Sequence, residues 1–170
     1  MNLKKNLVFL GMMGSGKTSI GFLVSKKLNL QFIDIDNLIE SEVGLKISKI
    51  FDEKGEDYFR SLEEKITLKI LKTSNNIISL GGGAFINERI RKEILRNHFS
   101  FWLNWDADTL IKRINNSQKR PIALKSTNME IALLIKKRSK IYAEADFKIN
   151  CNKLTKAEIV KKIIKIYEIN

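Results

Sequence analysis

Gly11-Met12-Met13-Gly14-Ser15-Gly16-Lys17-Thr18 follows the apolar run Leu7-Val8-Phe9-Leu10 and leads into a segment with helical patterning. The string fits G-x-x-x-x-G-K-[ST], the P-loop that cradles phosphates between a strand and a helix. Its context carries the reading. A buried strand delivers the loop, and the loop opens a helix whose first N–H groups have no partner within the helix. Those amides and the positive end of the helix dipole stabilise an anion. Gly11, Gly14 and Gly16 let the backbone curl and approach phosphate closely. The expected nucleotide-binding set is Gly14, Ser15, Gly16, Lys17, Thr18 and Ser19. Lys17 would reach the β- and γ-phosphates, and the Thr18 hydroxyl would ligate Mg²⁺.

Outward from this loop, apolar runs alternate with amphipathic segments, the pattern of a parallel sheet wrapped by helices. Strands are expected at residues 6–10, 31–35, 76–80, 99–104 and 147–150. Val160, Ile163, Ile164 and Tyr167 mark one face of a final helix. Ser61-Leu62-Glu63-Glu64 reads as a capping box opening another, with Leu62, Ile66 and Ile70 on its buried side. The predicted architecture is therefore α/β: a three-layer P-loop NTPase fold, with a five-stranded parallel sheet flanked by helices on both faces. One domain would span residues 1–170. The polar stretch 115–128 holds the only proline, Pro121, and interrupts two helical patterns. A mobile lid is expected there, at about residues 113–125.

The remaining composition bounds the function. The 170 residues suffice for one substantial core, and no apolar stretch approaches the length of a membrane helix. Residues 1–6 run almost directly into the first strand, so no signal peptide is expected. The single cysteine, Cys151, excludes an internal disulfide framework. A cytoplasmic protein follows. The net charge of +12 could suit nucleic acid, but the lysines are scattered, without aromatic residues interleaved among them. No nucleic-acid partner and no membrane are expected, and no exposed apolar stripe argues against a monomer.

Ligands of open parallel sheets bind beyond the carboxyl ends of the strands, and polar residues gather at those ends here. Asp34-Ile35-Asp36 closes the second strand. In extended chain, residues two apart share a side, so both carboxylates would face the P-loop mouth. One could serve Mg²⁺ and the other an attacking hydroxyl. The alternative is that Asp36 caps the next helix and Asp34 pairs with a lysine. Gly81-Gly82-Gly83 follows the third strand, either because a substrate approaches the main chain or as a plain tight turn. Arg138 stands on an apolar helical stripe with Ile131, Leu134, Ile135 and Tyr142. A guanidinium so placed needs an anion, whether a substrate carboxylate or a structural partner. Phe51 and Phe59 flank an acidic stretch and could be core; His98, Trp102 and Trp105 read as structural.

Taken in order, the P-loop, Asp34-Ile35-Asp36, Gly55-Glu56 with Phe59-Arg60, Leu80-Gly81-Gly82-Gly83-Ala84, Arg120-Pro121, and Arg138 with Tyr142 resemble the shikimate kinase family along essentially the whole chain. Lys140 stands where that family often has proline. The resemblance implies transfer of the ATP γ-phosphate to the 3-hydroxyl of shikimate, with one Mg²⁺ per active site and ATP as co-substrate. The product would feed chorismate and aromatic amino acid synthesis. It implies that Asp36, Arg60, Gly82 and Arg138 hold shikimate, that Phe51 and Phe59 wall its ring, and that a helical segment at about 36–62 forms this part of the pocket. Thr18 and Asp34 would serve Mg²⁺, Arg120 the phosphates and Arg113 the adenine. Lys17, Asp36 and Arg120 would carry the catalysis. The competing readings are a related kinase for a nucleoside monophosphate or gluconate, and a non-catalytic P-loop module that binds nucleic acid or protein.

Overall fold

A computed structural model describes residues 5–116 and 126–169. Arg120 and residues 117–125, most of the expected lid, lie outside the described residues. Five strands form one sheet: β1 (Leu7–Leu10), β2 (Gln31–Asp34), β3 (Asn76–Ser79), β4 (Phe99–Asn104) and β5 (Phe147–Asn150). Their spatial order is β2-β3-β1-β4-β5, and every neighbouring pair is parallel. In the central register Val8 lies between Ile78 and Ser100, and Phe9 between Ser79 and Phe101. The predicted strands agree with these to within one residue at either end.

The helices are α1 (Lys17–Leu28), α2 (Ile35–Val43), α3 (Ile47–Leu71), α4 (Glu88–Asn97), α5 (Ala107–Asn115), α6 (Asn128–Tyr142) and α7 (Lys156–Ile169), with a 3₁₀ turn at Ala84–Ile86. They divide between the two faces of the sheet. Leu7, Phe9, Ile77, Phe101 and Ile149 bury one face against Ile20 and Val24 of α1 and Ile159 and Ile163 of α7. Val8, Leu10, Ile78 and Trp102 bury the other against residues of α2 to α6. Alternate residues of each strand feed opposite cores. That is why β1 reads as an unbroken apolar run and β3 carries adjacent apolar residues, Ile77 and Ile78, at its centre. Truncating a fully buried strand residue such as Ile78 to alanine would cost ~2–5 kcal/mol.

Two local expectations are corrected. Ser61 opens no helix, because α3 runs through it from Ile47, with a kink at Gly55 (φ 82°, ψ 169°). Gly55 is non-helical and divides α3 into two helical stretches, and Ser61-Leu62-Glu63-Glu64 lies inside the second rather than at its start. And β2 ends at Asp34, so Asp36 lies in the first turn of α2 rather than in extended chain. The helix cap is Asp34, whose Oδ1 accepts from the Asn37 amide at 3.2 Å. Among the described residues no helix is long and apolar enough to cross a membrane.

Candidate active site

The P-loop joins β1 to α1. Gly11, Gly14 and Gly16 all have positive φ, and a Cβ on Gly11 would stand 2.9 Å from the Leu103 carbonyl oxygen. A side chain at that position would therefore force β1 and β4 apart as well as strain the backbone. Gly16 is the N-cap of α1 and brings no side chain to its first amides, which leaves the positive end of the helix facing the cleft. The Ser15 amide donates to Met12 O at 3.1 Å and closes the turn. Lys17 is only 7% exposed, and its Nζ donates to the carbonyls of Gly11 (2.9 Å) and Met12 (3.0 Å). Its charge is thereby fixed over the loop.

This loop forms one wall of an open cleft of about 940 Å³ above the carboxyl ends of the strands. Gly14, Gly16, Lys17, Thr18 and Ser19 line it together with Asp34, Asp36, Phe51, Phe59, Arg60, Gly82 and Arg138. Ser15 lies beneath the loop, buried, with its hydroxyl unpartnered. On the cleft floor Thr18 Oγ1 donates to Asp34 Oδ2 at 2.6 Å. Asp36 is helical rather than extended, yet the first turn of α2 still delivers its carboxylate to the same cleft.

The far end is built from long side chains. Arg60 of α3 pairs with Glu63 (2.7 Å) and with Glu56 (3.2 Å), and its guanidinium lies 5.1 Å from the centre of the Phe59 ring and 5.9 Å from that of Phe51. The two rings pack with centroids 4.7 Å apart. Arg138 of α6 donates to the Gly82 carbonyl at 3.3 Å, as does the Tyr142 hydroxyl. Burial pushes Tyr142 up to about 12, so it stays a donor.

The three glycines are explained by the protein's own groups. A Cβ on Gly81 would lie 2.5 Å from Glu63 Oε1 and 2.7 Å from Asp36 Oδ1, and one on Gly83 2.5 Å from Arg60 Nη1. One on Gly82 would stand 3.2 Å from the Met13 amide nitrogen. The loop at residues 81–83 thus abuts the P-loop directly.

Sequence reasoning missed Glu63. Its carboxylate is 2% exposed, and Oε1 is unpartnered. Burial pushes its carboxyl above the ordinary value, against the pull of Arg60 and Arg138. Arg60 shifts up as well, because its pairing with Glu63 and Glu56 outweighs burial. The i,i+3 spacing of Arg60 and Glu63 was the available signal, readable only with a helix continuing through both. Trp105, expected to be packing alone, donates from Nε1 to the Ser15 carbonyl at 2.9 Å. Arg113 is not in the cleft lining. It lies on the outer flank of the P-loop, where its Nη1 donates to Gly14 O at 3.3 Å.

Comparison with known proteins agrees with this geometry. The family model described as shikimate kinase matches residues 13–168. A shikimate kinase of Rhizobium meliloti is 38% identical over 163 residues, covering 95% of this chain and 84% of that one. The structure superposes on a shikimate kinase from Acinetobacter baumannii in complex with shikimate (TM-score 0.91, 25% identity, 98% of this chain and 94% of that one). The shikimate kinase from Aquifex aeolicus superposes with TM-score 0.86 at 34% identity, covering 96% of each chain. By family model, sequence and fold alike, the chain belongs to the shikimate kinase family.

Proposed function

We propose that this chain transfers the γ-phosphate of ATP to the 3-hydroxyl of shikimate, giving shikimate 3-phosphate and ADP, and that the residues converging on the cleft divide the work between its two ends. The observation that supports it most is the junction of the ends: Gly82, which accepts from Arg138, lies against the Met13 amide of the P-loop. An acceptor held by Arg138 is then next to a phosphate held by the loop. Phosphoryl transfer needs this positioning and charge neutralisation more than covalent help.

At the phosphate end, the amides of residues 14–19 and the Lys17 ammonium bind the β- and γ-phosphates. Thr18 Oγ1 and Asp34 Oδ2 are hard oxygen donors of the kind Mg²⁺ takes beside phosphate oxygens, so these residues fit that ion. When bound, Mg²⁺ supplies charge neutralisation on the phosphates. At the acceptor end, Arg60 and Arg138 bind the shikimate carboxylate. Asp36 accepts from its hydroxyls and orients the attacking one, and Phe51 and Phe59 exclude water from the ring. Arg120 is assigned the charge developing on the transferred group. The reading includes a cytoplasmic monomer with one domain and no nucleic-acid or membrane partner.

The test is ADP release from ATP and Mg²⁺ with shikimate, gluconate or a nucleoside monophosphate as acceptor. Turnover is expected with shikimate alone. Nucleotide binding without any shikimate-dependent ADP release overturns the assignment.

A further inference from the structure

Trp105 occupies a position that packing alone does not explain. It follows β4 and is only partly buried. Its Nε1 donates to the Ser15 carbonyl at 2.9 Å, from beneath the P-loop. The Arg113 guanidinium carbon lies 3.8 Å from the centre of the Trp105 ring, and Arg113 Nη1 donates to Gly14 O at 3.3 Å. One indole therefore touches both the phosphate cradle and an arginine on its outer flank. A guanidinium is planar and weakly hydrated, so it can stack on an aromatic face with little loss of hydration. Arg113 is exposed, while its long side chain is held at one end by Gly14 and along its plane by the indole.

We propose that Trp105 is a positioning residue for the nucleotide. It holds the Arg113 guanidinium flat, so that the purine base of ATP stacks on it in register with the phosphates in the loop. This rests on the reading of the P-loop as the ATP site and on the place beside adenine that the family resemblance implies for Arg113. The inference adds that base and phosphates are registered by a single side chain. A flexible arginine would lose side-chain entropy on meeting the base; one already immobilised by an indole has lost it beforehand.

The test compares W105L and W105F with the parent in ADP and pyrophosphate binding and in steady-state kinetics. W105L should weaken ADP and raise the ATP KM by about fivefold to tenfold. Pyrophosphate, which has no base, should be weakened less, and the shikimate KM should hold. W105F keeps an aromatic face and should restore most of the lost ADP affinity. Unchanged ADP affinity in W105L, or equal loss for ADP and pyrophosphate, overturns the proposal, the latter because Trp105 would then serve the loop alone. Should W105L fail to fold, W105M takes its place, since it also removes the aromatic face: it must weaken ADP more than pyrophosphate. Parent protein that binds ADP but shows no shikimate-dependent turnover would refute the activity while leaving this test intact.

Discussion

The two ends of the cleft are made of different materials. The phosphate end is dominated by a single run of chain, residues 11–19, whose working parts are main-chain amides, one lysine and glycines at positive φ, with Asp34 added from the end of β2. The acceptor end is assembled from Asp36 on α2, Arg60 and Glu63 on α3, Gly82 after β3 and Arg138 on α6. A backbone-built site demands glycine at fixed places and so leaves a contiguous signature. A site built from side chains leaves isolated residues, and only the fold brings them within reach of each other.

The largest effect is expected at the phosphate end. Lys17→Ala removes the one buried ammonium there, and kcat should fall roughly a thousandfold. The measurement is shikimate-dependent ADP release. A variant retaining near-parental kcat would mean that the loop amides suffice and that the two ends differ less than argued.

The junction comes next. Gly82→Ala places a methyl 3.2 Å from the Met13 amide, and the two loops must separate to admit it. Because it acts on both ends, the ATP KM and the shikimate KM should rise together, and kcat should drop by up to ~100-fold from misplacement alone. A change in only one KM would show that the ends are uncoupled.

Arg138→Ala acts chiefly at the acceptor end. Losing a charge-assisted contact of ~2 kcal/mol should raise the shikimate KM roughly thirtyfold and leave the ATP KM unchanged. Steady-state titration of each substrate separates the two. A rise in the ATP KM instead would place Arg138 with the phosphates.

These contrasts also explain what was legible beforehand. The central strands were readable because both sheet faces are buried, so Leu7-Val8-Phe9-Leu10 is apolar throughout and Ile77-Ile78 is apolar on both faces of β3. The P-loop was readable as a string. Glu63 was not, because reading Ser61-Leu62-Glu63-Glu64 as a capping box opens the helix at Ser61 and leaves Arg60 outside it. The chain breaks at Gly55 and resumes as helix before Arg60, which is what puts Glu63 one turn beyond Arg60. Trp105 was not, because its partners Ser15 and Arg113 are distant or unremarkable in sequence, and only the parallel β1–β4 pairing brings them together.

The smallest effect concerns pH and again separates the ends, because the acceptor end holds a deeply buried carboxylate. Burial raises Glu63 above its ordinary value of 4.5, despite Arg60 and Arg138. The unfolded chain releases that proton at the ordinary value, so above it the folded state binds more protons than the unfolded one. By linkage, stability from this group is present below 4.5 and is lost as pH rises through the elevated folded value. A glutamine cannot titrate, so Glu63→Gln lacks this decline. As pH rises from 4.5 toward neutrality the variant should gain on the parent in melting temperature. Thermal melts of both proteins across that range provide the measurement. A parent that instead gains on the variant as pH rises would show that the Arg60 ion pair outweighs burial. The acceptor end would then be held, like the phosphate end, by a charge the fold stabilises.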